Sequence, residues 1–234
     1  MVVNHTGPRG GRIVRSPTGD PSTDKKETRR YRKPIVGLAG GVGAGKSTVA
    51  QIMADLGGGV ISSDQLSSIE INSPDVRDQI VRWWGQSMLQ PDGTVDRKQV
   101  AALVFADPAQ RHRLEALIHP RIAVRRADTM QELDSQPKIR FIVIDSPLLY
   151  ETDLDLMCDA VVFIDADLEV RRERSEKLRG WPEGELSRRE KSQQPLDMKR
   201  ARADHICKNN SNQADLRKQV ERIVTQILAD FGSI

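Results

Sequence analysis

Residues 37–51 read GLAGGVGAGKSTVAQ, with glycines at 40, 41, 43 and 45 and then Lys46 and Ser47. Glycine loses more conformational entropy on folding than any other residue, so a run of it ahead of a helix-forming stretch calls for bare backbone there. The preceding IVGLA is a short apolar run of the kind a buried strand has. After the glycines, Val49, Ile52, Met53 and Leu56 recur on one helical face. Gly40, Gly45, Lys46 and Ser47 satisfy the spacing G-x-x-x-x-G-K-[ST], in the strand–loop–helix context that gives this spacing meaning. Glycines let successive N–H groups point inward around a phosphate, and the helix N-terminus adds its dipole. Gly41, Val42, Gly43, Ala44, Gly45, Lys46, Ser47 and Thr48 are therefore expected to hold a nucleoside triphosphate. Lys46 would reach the terminal phosphates, and the Ser47 hydroxyl would ligate Mg²⁺. The alternative, a glycine-rich turn that binds nothing, accounts for neither the strand before nor the helix after. An N-K-x-D guanine signature is missing, which weighs against a GTPase.

Four further apolar runs fix the fold class. VIS (60–62), FIVID (141–145) and AVVFID (160–165) read as strands, with HIC (205–207) a weaker one. Helical patterns lie between most of them, and the last has Leu216, Val220, Ile223, Val224, Ile227 and Leu228 at helix spacing. Strands alternating with helices predict an α/β fold: a P-loop NTPase-like parallel β-sheet flanked by helices. Residues 64–140 are too many for a simple crossover and contain a DG turn at Asp92–Gly93. Asp107 before Pro108 reads as a cap with proline at the first helical position. The expected organisation is a nucleotide-binding core at 34–64, 137–176 and 203–234, a helical acceptor-binding insertion at 65–136, and a charged lid or exposed helix pair at 177–202. Residues 1–33 lack an apolar period and read as a disordered basic tail.

Charge and cysteines narrow the partners. The chain of 234 residues has a net charge of +3, but residues 1–33 hold nine Lys/Arg against three Asp/Glu, so the remainder is net acidic. A general nucleic-acid surface is not supported. Cys158 and Cys207 have no metal-type spacing, and no apolar run reaches membrane-spanning length. A cytoplasmic protein with no membrane partner is expected, as a monomer or small homo-oligomer.

Phosphoryl transfer needs an acceptor brought in line, charge neutralisation and often a carboxylate near the attacking hydroxyl. Asp64 follows the second strand in VISSD, at the carboxyl end where ligands of open parallel sheets bind. It can accept a hydroxyl proton, help hold the metal, or merely cap a helix. Asp145 ends FIVID and can grip Mg²⁺ or its water, with capping as the alternative. In the SPLLYE that follows, Pro147 sets a turn, Leu148 and Leu149 offer an apolar wall, and Glu151 is a weaker candidate.

GLAGGVGAGKST, VISSD, DGTVDRKQVAALVFADPAQRHRLEALIHPRI, DSPLLYE and QQPLDMKRARADHICKNN, in that order, resemble the dephospho-CoA kinase family over nearly all of residues 35–230. The resemblance implies transfer of the ATP γ-phosphoryl group to the ribose 3′-hydroxyl of dephospho-CoA. It implies Asp64 near that hydroxyl, and His119, Pro147, Leu148 and Leu149 on the acceptor side. It further implies a lid arginine near the phosphates, for which Arg179 is first choice and Arg174 second, and Asn209 near the adenine. On residue type alone, His119 beside a helix-breaking Pro120 could be an exposed histidine, and Asn209 could serve only turn chemistry. The chain departs from the family's D-x-D pair with Ser62 at the first position, and Ser67 and Ser68 stand where Arg or His is usual. The other readings are a nucleoside monophosphate or shikimate-type kinase, and a nucleotide-binding regulatory protein that docks through its basic tail.

Overall fold

The computed structural model describes residues 30–178, 180–191 and 193–232. It contains two compact units. One comprises the described residues up to Val60 together with those from Glu132 onward, and the other is Ile61–Gln131.

In the first unit, β1 (Ile35–Gly40) is wholly buried and sits in the middle of a five-stranded sheet. With β2 (Gly58–Ser62), β3 (Phe141–Asp145), β4 (Ala160–Asp165) and β5 (His205–Lys208), the order is β2-β3-β1-β4-β5. β1 runs parallel to β3 and β4, with Leu38 level with Asp145 and Gly40 level with Ile164, and β5 runs parallel to β4. Parallel strands need crossovers, and those place helices on the sheet's faces. α1 (Lys46–Asp55) and the final long helix (Gln213–Gly232) cover one face. There Val36, Leu38, Val143, Val162 and Ile164 pack with Val49, Met53, Val220 and Val224 in one cluster.

The three fully apolar strands β1, β3 and β4 lie where their sequences predict. β2 begins two residues earlier than VIS, because Gly58 and Gly59 belong to the strand. A Cβ on Gly58 would lie 2.7 Å from the Phe141 ring, and one on Gly59 2.7 Å from Leu133, so only glycine fits. The helix ends through Gly57 at φ 93°.

The second unit has four α-helices: α2 (Ser63–Ile71), α3 (Pro74–Trp84), α4 (Arg97–Ala106) and α5 (Pro108–Ser135), the last running into the first unit. Ile71, Val76, Ile80, Val95 and Val100 are buried. Asp107 caps α5, accepting from the Ala109 N–H at 2.8 Å, and Thr94 closes the DG turn on Asp92. Pro120 does not break α5 as expected, because the helix continues through it. α5 therefore runs 28 residues with Pro120 inside it and forgoes one intrahelical N–H donor there.

α6 (Leu168–Glu173) passes into a π-helical stretch, Arg174–Leu178, followed by α7 (Glu185–Glu190) and α8 (Leu196–Arg202). α8 packs on β1 and β4 and buries Lys199, so a lid reaching to 202 extends too far. α9 is the final helix already described. The tail boundary also moves. Residues 1–29 lie outside the described residues, but Tyr31 is buried and Lys33 Nζ donates to the carbonyls of Leu133, Asp134 and Gln136 at 2.6–2.7 Å. Residues 30–33 are thus part of the folded body.

Candidate nucleotide-binding site

The loop joining β1 to α1 owes its shape to glycine. Gly40, Gly43 and Gly45 have φ of 146°, 77° and 92°, a region that L side chains rarely enter. Gly45 precedes α1 in the left-handed conformation, and no side chain caps the helix. The first N–H groups of α1 are therefore left for an anion rather than for an Asp or Ser side chain. Lys46 starts the helix and folds back, donating to the carbonyls of Gly40 at 2.9 Å and Gly41 at 3.0 Å. Ser47 and Thr48 are exposed on its first turn.

Four charged or polar side chains brace the loop from outside. Asn209, 5% exposed just beyond β5, donates from Nδ2 to the Ala44 carbonyl at 2.8 Å. Its own carbonyl accepts from Arg174 Nη2 at 3.0 Å, and Arg174 Nη1 approaches the Ala44 carbonyl at 3.5 Å. The structure therefore places Asn209 against the phosphate loop itself. Arg171 donates to the Val42 carbonyl at 3.4 Å and pairs with Glu190, whose carboxylate accepts from the Val42 N–H at 3.2 Å.

Asp145 ends β3 beside β1, two strand positions short of the loop. After it, the turn 146–152 points Leu148 outward, 39% exposed. Leu149 turns inward, 1% exposed, against Gly37, where a Cβ would lie 2.9 Å from its Cδ2. Leu149 is a core residue, which corrects the expectation that both leucines face an acceptor. Glu151 pairs with buried Lys199 at 2.8 Å and accepts from the Gln194 N–H at 2.8 Å, tying the turn to α8. Burial raises the Glu151 carboxyl, and these partners more than offset it, leaving its pKa lowered. Burial pushes the Cys207 thiol up to about 11, and burial followed by the charges of Asp155, Asp159 and Asp204 pushes Cys158 higher, so neither is a nucleophile near neutral pH.

In the second unit, Asp64 lies exposed in the first turn of α2, whose cap is Ser62, accepting from the Gln65 N–H at 3.4 Å. Ser62 thus serves as a helix cap. His119 is exposed on α5. Arg179 lies outside the described residues, whereas Arg174, the second choice, begins the π-helical stretch and reaches the loop with its side chain.

With this geometry in place, comparison with known proteins decides the family. The dephospho-CoA kinase family model matches residues 34–215. The chain belongs to the dephospho-CoA kinase family. Among its relatives, the dephospho-CoA kinase of Corynebacterium glutamicum is 37% identical over 196 residues, covering 83% of this chain and 97% of the relative. That of Anaeromyxobacter dehalogenans is 36% identical over 202 residues, covering 85% and 94%. The crystal structure of TT1252 from Thermus thermophilus matches with a TM-score of 0.72 at 28% identity, over 83% of this chain and 97% of that one. The dephospho-CoA kinase from Campylobacter jejuni shares the fold, with a TM-score of 0.62 at 23% identity, over 86% and 100%. As a dephospho-CoA kinase family member the chain is a kinase, and its parallel sheet and phosphate loop are those of a P-loop enzyme.

Sequence reasoning missed Arg171 and Glu190, because both stand in a run of charges that reads as solvated surface. The one signal was that Arg171 falls within two helical turns of the end of β4.

Proposed function

We propose that this protein transfers the γ-phosphoryl group of ATP to the ribose 3′-hydroxyl of dephospho-CoA, giving ADP and coenzyme A. One observation carries the reading: the match to the dephospho-CoA kinase family runs through residues 34–215 with the phosphate loop intact.

Phosphoryl transfer passes through a loose transition state, so catalysis is positioning and charge stabilisation. The N–H groups at the start of α1 cradle the β-phosphate, and Lys46 exchanges the Gly40 and Gly41 carbonyls for phosphate oxygens. Arg174, hydrogen-bonded at the base of the loop, supplies a second positive charge beside it. Magnesium on a nucleotide takes one or two protein oxygens along with phosphates and waters, and the Ser47 hydroxyl and Asp145 carboxylate fit that donor set. When bound, the ion would neutralise charge on the phosphates. Asp64 accepts the hydrogen bond, and then the proton, of the attacking hydroxyl. His119, Pro147 and Leu148 contact the acceptor, with Leu149 holding their turn in place from the core. The region around 65–131 serves the acceptor, and the stretch around 177–191, Arg179 included, serves as the lid.

The reading includes a cytoplasmic protein, a monomer or small homo-oligomer. Both cysteines are free and buried, as suits a reducing compartment, and among the described residues no helix is long and apolar enough to cross a membrane. The test is an acceptor panel. With Mg-ATP, dephospho-CoA should drive ADP formation and gain one phosphate on the 3′-oxygen. Faster turnover with AMP or shikimate, or ADP formation that no acceptor stimulates, would sink the assignment.

A further inference from the structure

We infer that Arg171 and Glu190 are a positioning pair that clamps the Val42 peptide groups and so sets the affinity of the phosphate loop for a nucleotide's β-phosphate. The inference rests on the reading that this loop binds ATP. Both polar backbone groups of Val42 are engaged by one ion pair. The carbonyl accepts from Arg171 Nη1 at 3.4 Å, the N–H donates to Glu190 Oε1 at 3.2 Å, and the same two side-chain atoms bond to each other. Arg171 is 6% exposed, and its Nε donates to the Ala166 carbonyl at 3.1 Å, so it is fixed to the segment that leaves β4. Ion pair and loop are in close contact: a Cβ on Gly41 would lie 2.8 Å from Arg171 Nη1 and 3.0 Å from Glu190 Oε1.

Two physical consequences follow. A loop with glycines at 40, 41, 43 and 45 has much backbone freedom to lose when it closes on a phosphate, and a clamp that orders its first half beforehand reduces that loss. A bare carboxylate beside the loop would repel a triphosphate, whereas one paired with a guanidinium presents almost no net charge. Glu190 is also the last residue of α7, a six-residue helix whose buried residue is Leu186. The clamp therefore links the docking of α7 to the order of the loop, and by linkage each favours the other. The pair bonds to the backbone of the loop ahead of the N–H donors that begin α1, so it acts through the loop.

The test compares ADP and AMP binding by titration calorimetry in wild type, Glu190→Ala, Glu190→Gln, Arg171→Ala and the double alanine variant. Loss of preorganisation predicts that Glu190→Ala weakens ADP binding roughly tenfold. AMP, which has no β-phosphate, should bind within twofold of wild type. The KM for ATP should rise with the ADP dissociation constant, while kcat and the acceptor KM stay within twofold. Glu190→Gln keeps an oxygen for the Val42 N–H and should recover part of the loss. The double variant should be no weaker than the worse single, since the two side chains bond to each other and act together on the backbone of one residue, Val42. Unchanged ADP affinity in Glu190→Ala, equal losses for ADP and AMP, or additive losses in the double variant would each overturn the inference. If Arg171→Ala fails to fold, the two Glu190 variants decide alone. A wild-type chain that binds AMP but not ADP would remove the functional reading, and the clamp with it.

Discussion

Gly43 shows how much one residue can be bound by its backbone. Its φ of 77° strains any L side chain, and a Cβ there would lie 2.7 Å from the Arg171 carbonyl oxygen and 2.9 Å from Ser175 Oγ. Gly43→Ala should therefore cost about 1–3 kcal/mol in loop geometry. ADP affinity measured by calorimetry should fall about 10- to 100-fold, with a much smaller change in thermal stability, because the loop can move away when empty. Asp64 is the opposite case, an exposed carboxylate whose value lies in chemistry. Asp64→Asn keeps size and hydrogen bonding but gives up proton acceptance, so kcat should drop about 10²–10⁴-fold. ADP binding should stay within twofold, and near-normal turnover would rule out a proton-accepting role. The contrast explains what could be read at this scale. The phosphate loop works through backbone, so its glycine spacing survives in the sequence as a pattern. Arg171 and Glu190 work through pairing across 19 positions, and nothing in a run of arginines and glutamates marks which two will meet. Asn209 was expected near the adenine; the partner its side chain finds is the Ala44 carbonyl, a contact that only the folded chain specifies.

Among the elements, β1, β3 and β4 were legible because strands covered on both faces carry no polar interruptions. β2 was cut short by its glycines, which look like a helix stop until Phe141 and Leu133 are seen to occupy the space a side chain would need. α8 was mistaken for part of a lid since Lys199 counts as polar in sequence, yet it is buried and paired with Glu151. That pair fixes the 146–152 turn, and with it the exposed Leu148. Removing one partner of a buried pair leaves the other uncompensated, so Lys199→Met should lower unfolding free energy by about 3–5 kcal/mol in urea titrations. Lys199→Met with Glu151→Gln should recover most of it. Acid provides a second check. The Glu151 pKa is below its ordinary value of about 4.5, so its contribution is present in full above that value and is lost as pH falls through the lowered one. The stability gap between wild type and Glu151→Gln should accordingly be constant from neutral pH to about pH 5 and close progressively below it. A gap that persists unchanged at pH 2 would mean that the pair contributes through packing alone.

For the whole molecule, the question is where the folded body starts. Composition placed the border after residue 33, because Arg30, Arg32 and Lys33 continue the basic run of the tail. The structure moves it forward, and the reason is a helix end. α5 finishes at Ser135, where the last carbonyls of a helix run short of intrahelical donors, and helix C-termini attract cations. Lys33 Nζ meets two of the last carbonyls of α5, at Leu133 and Asp134, and that of Gln136 just beyond, while the backbone N–H groups of Arg32 and Lys33 both donate to Asp134 Oδ1 at 3.0 Å. Tyr31 is buried just before them. The same charge that made these residues look solvated is what fastens them, and it does so where the chain returns from the second unit to the sheet. Hydrogen bonds to a charged group contribute about 1.5–3 kcal/mol, and a kcal/mol shifts the melting temperature of a chain this size by about 2–4 °C. A protein starting at residue 30 should thus melt within about 1 °C of the full chain and turn over at the same rate. One starting at residue 34 should melt roughly 4–10 °C lower, and Lys33→Met in the full chain should reproduce a good part of that loss. Equal melting temperatures for the chains starting at 30 and 34 would return the border to where composition put it.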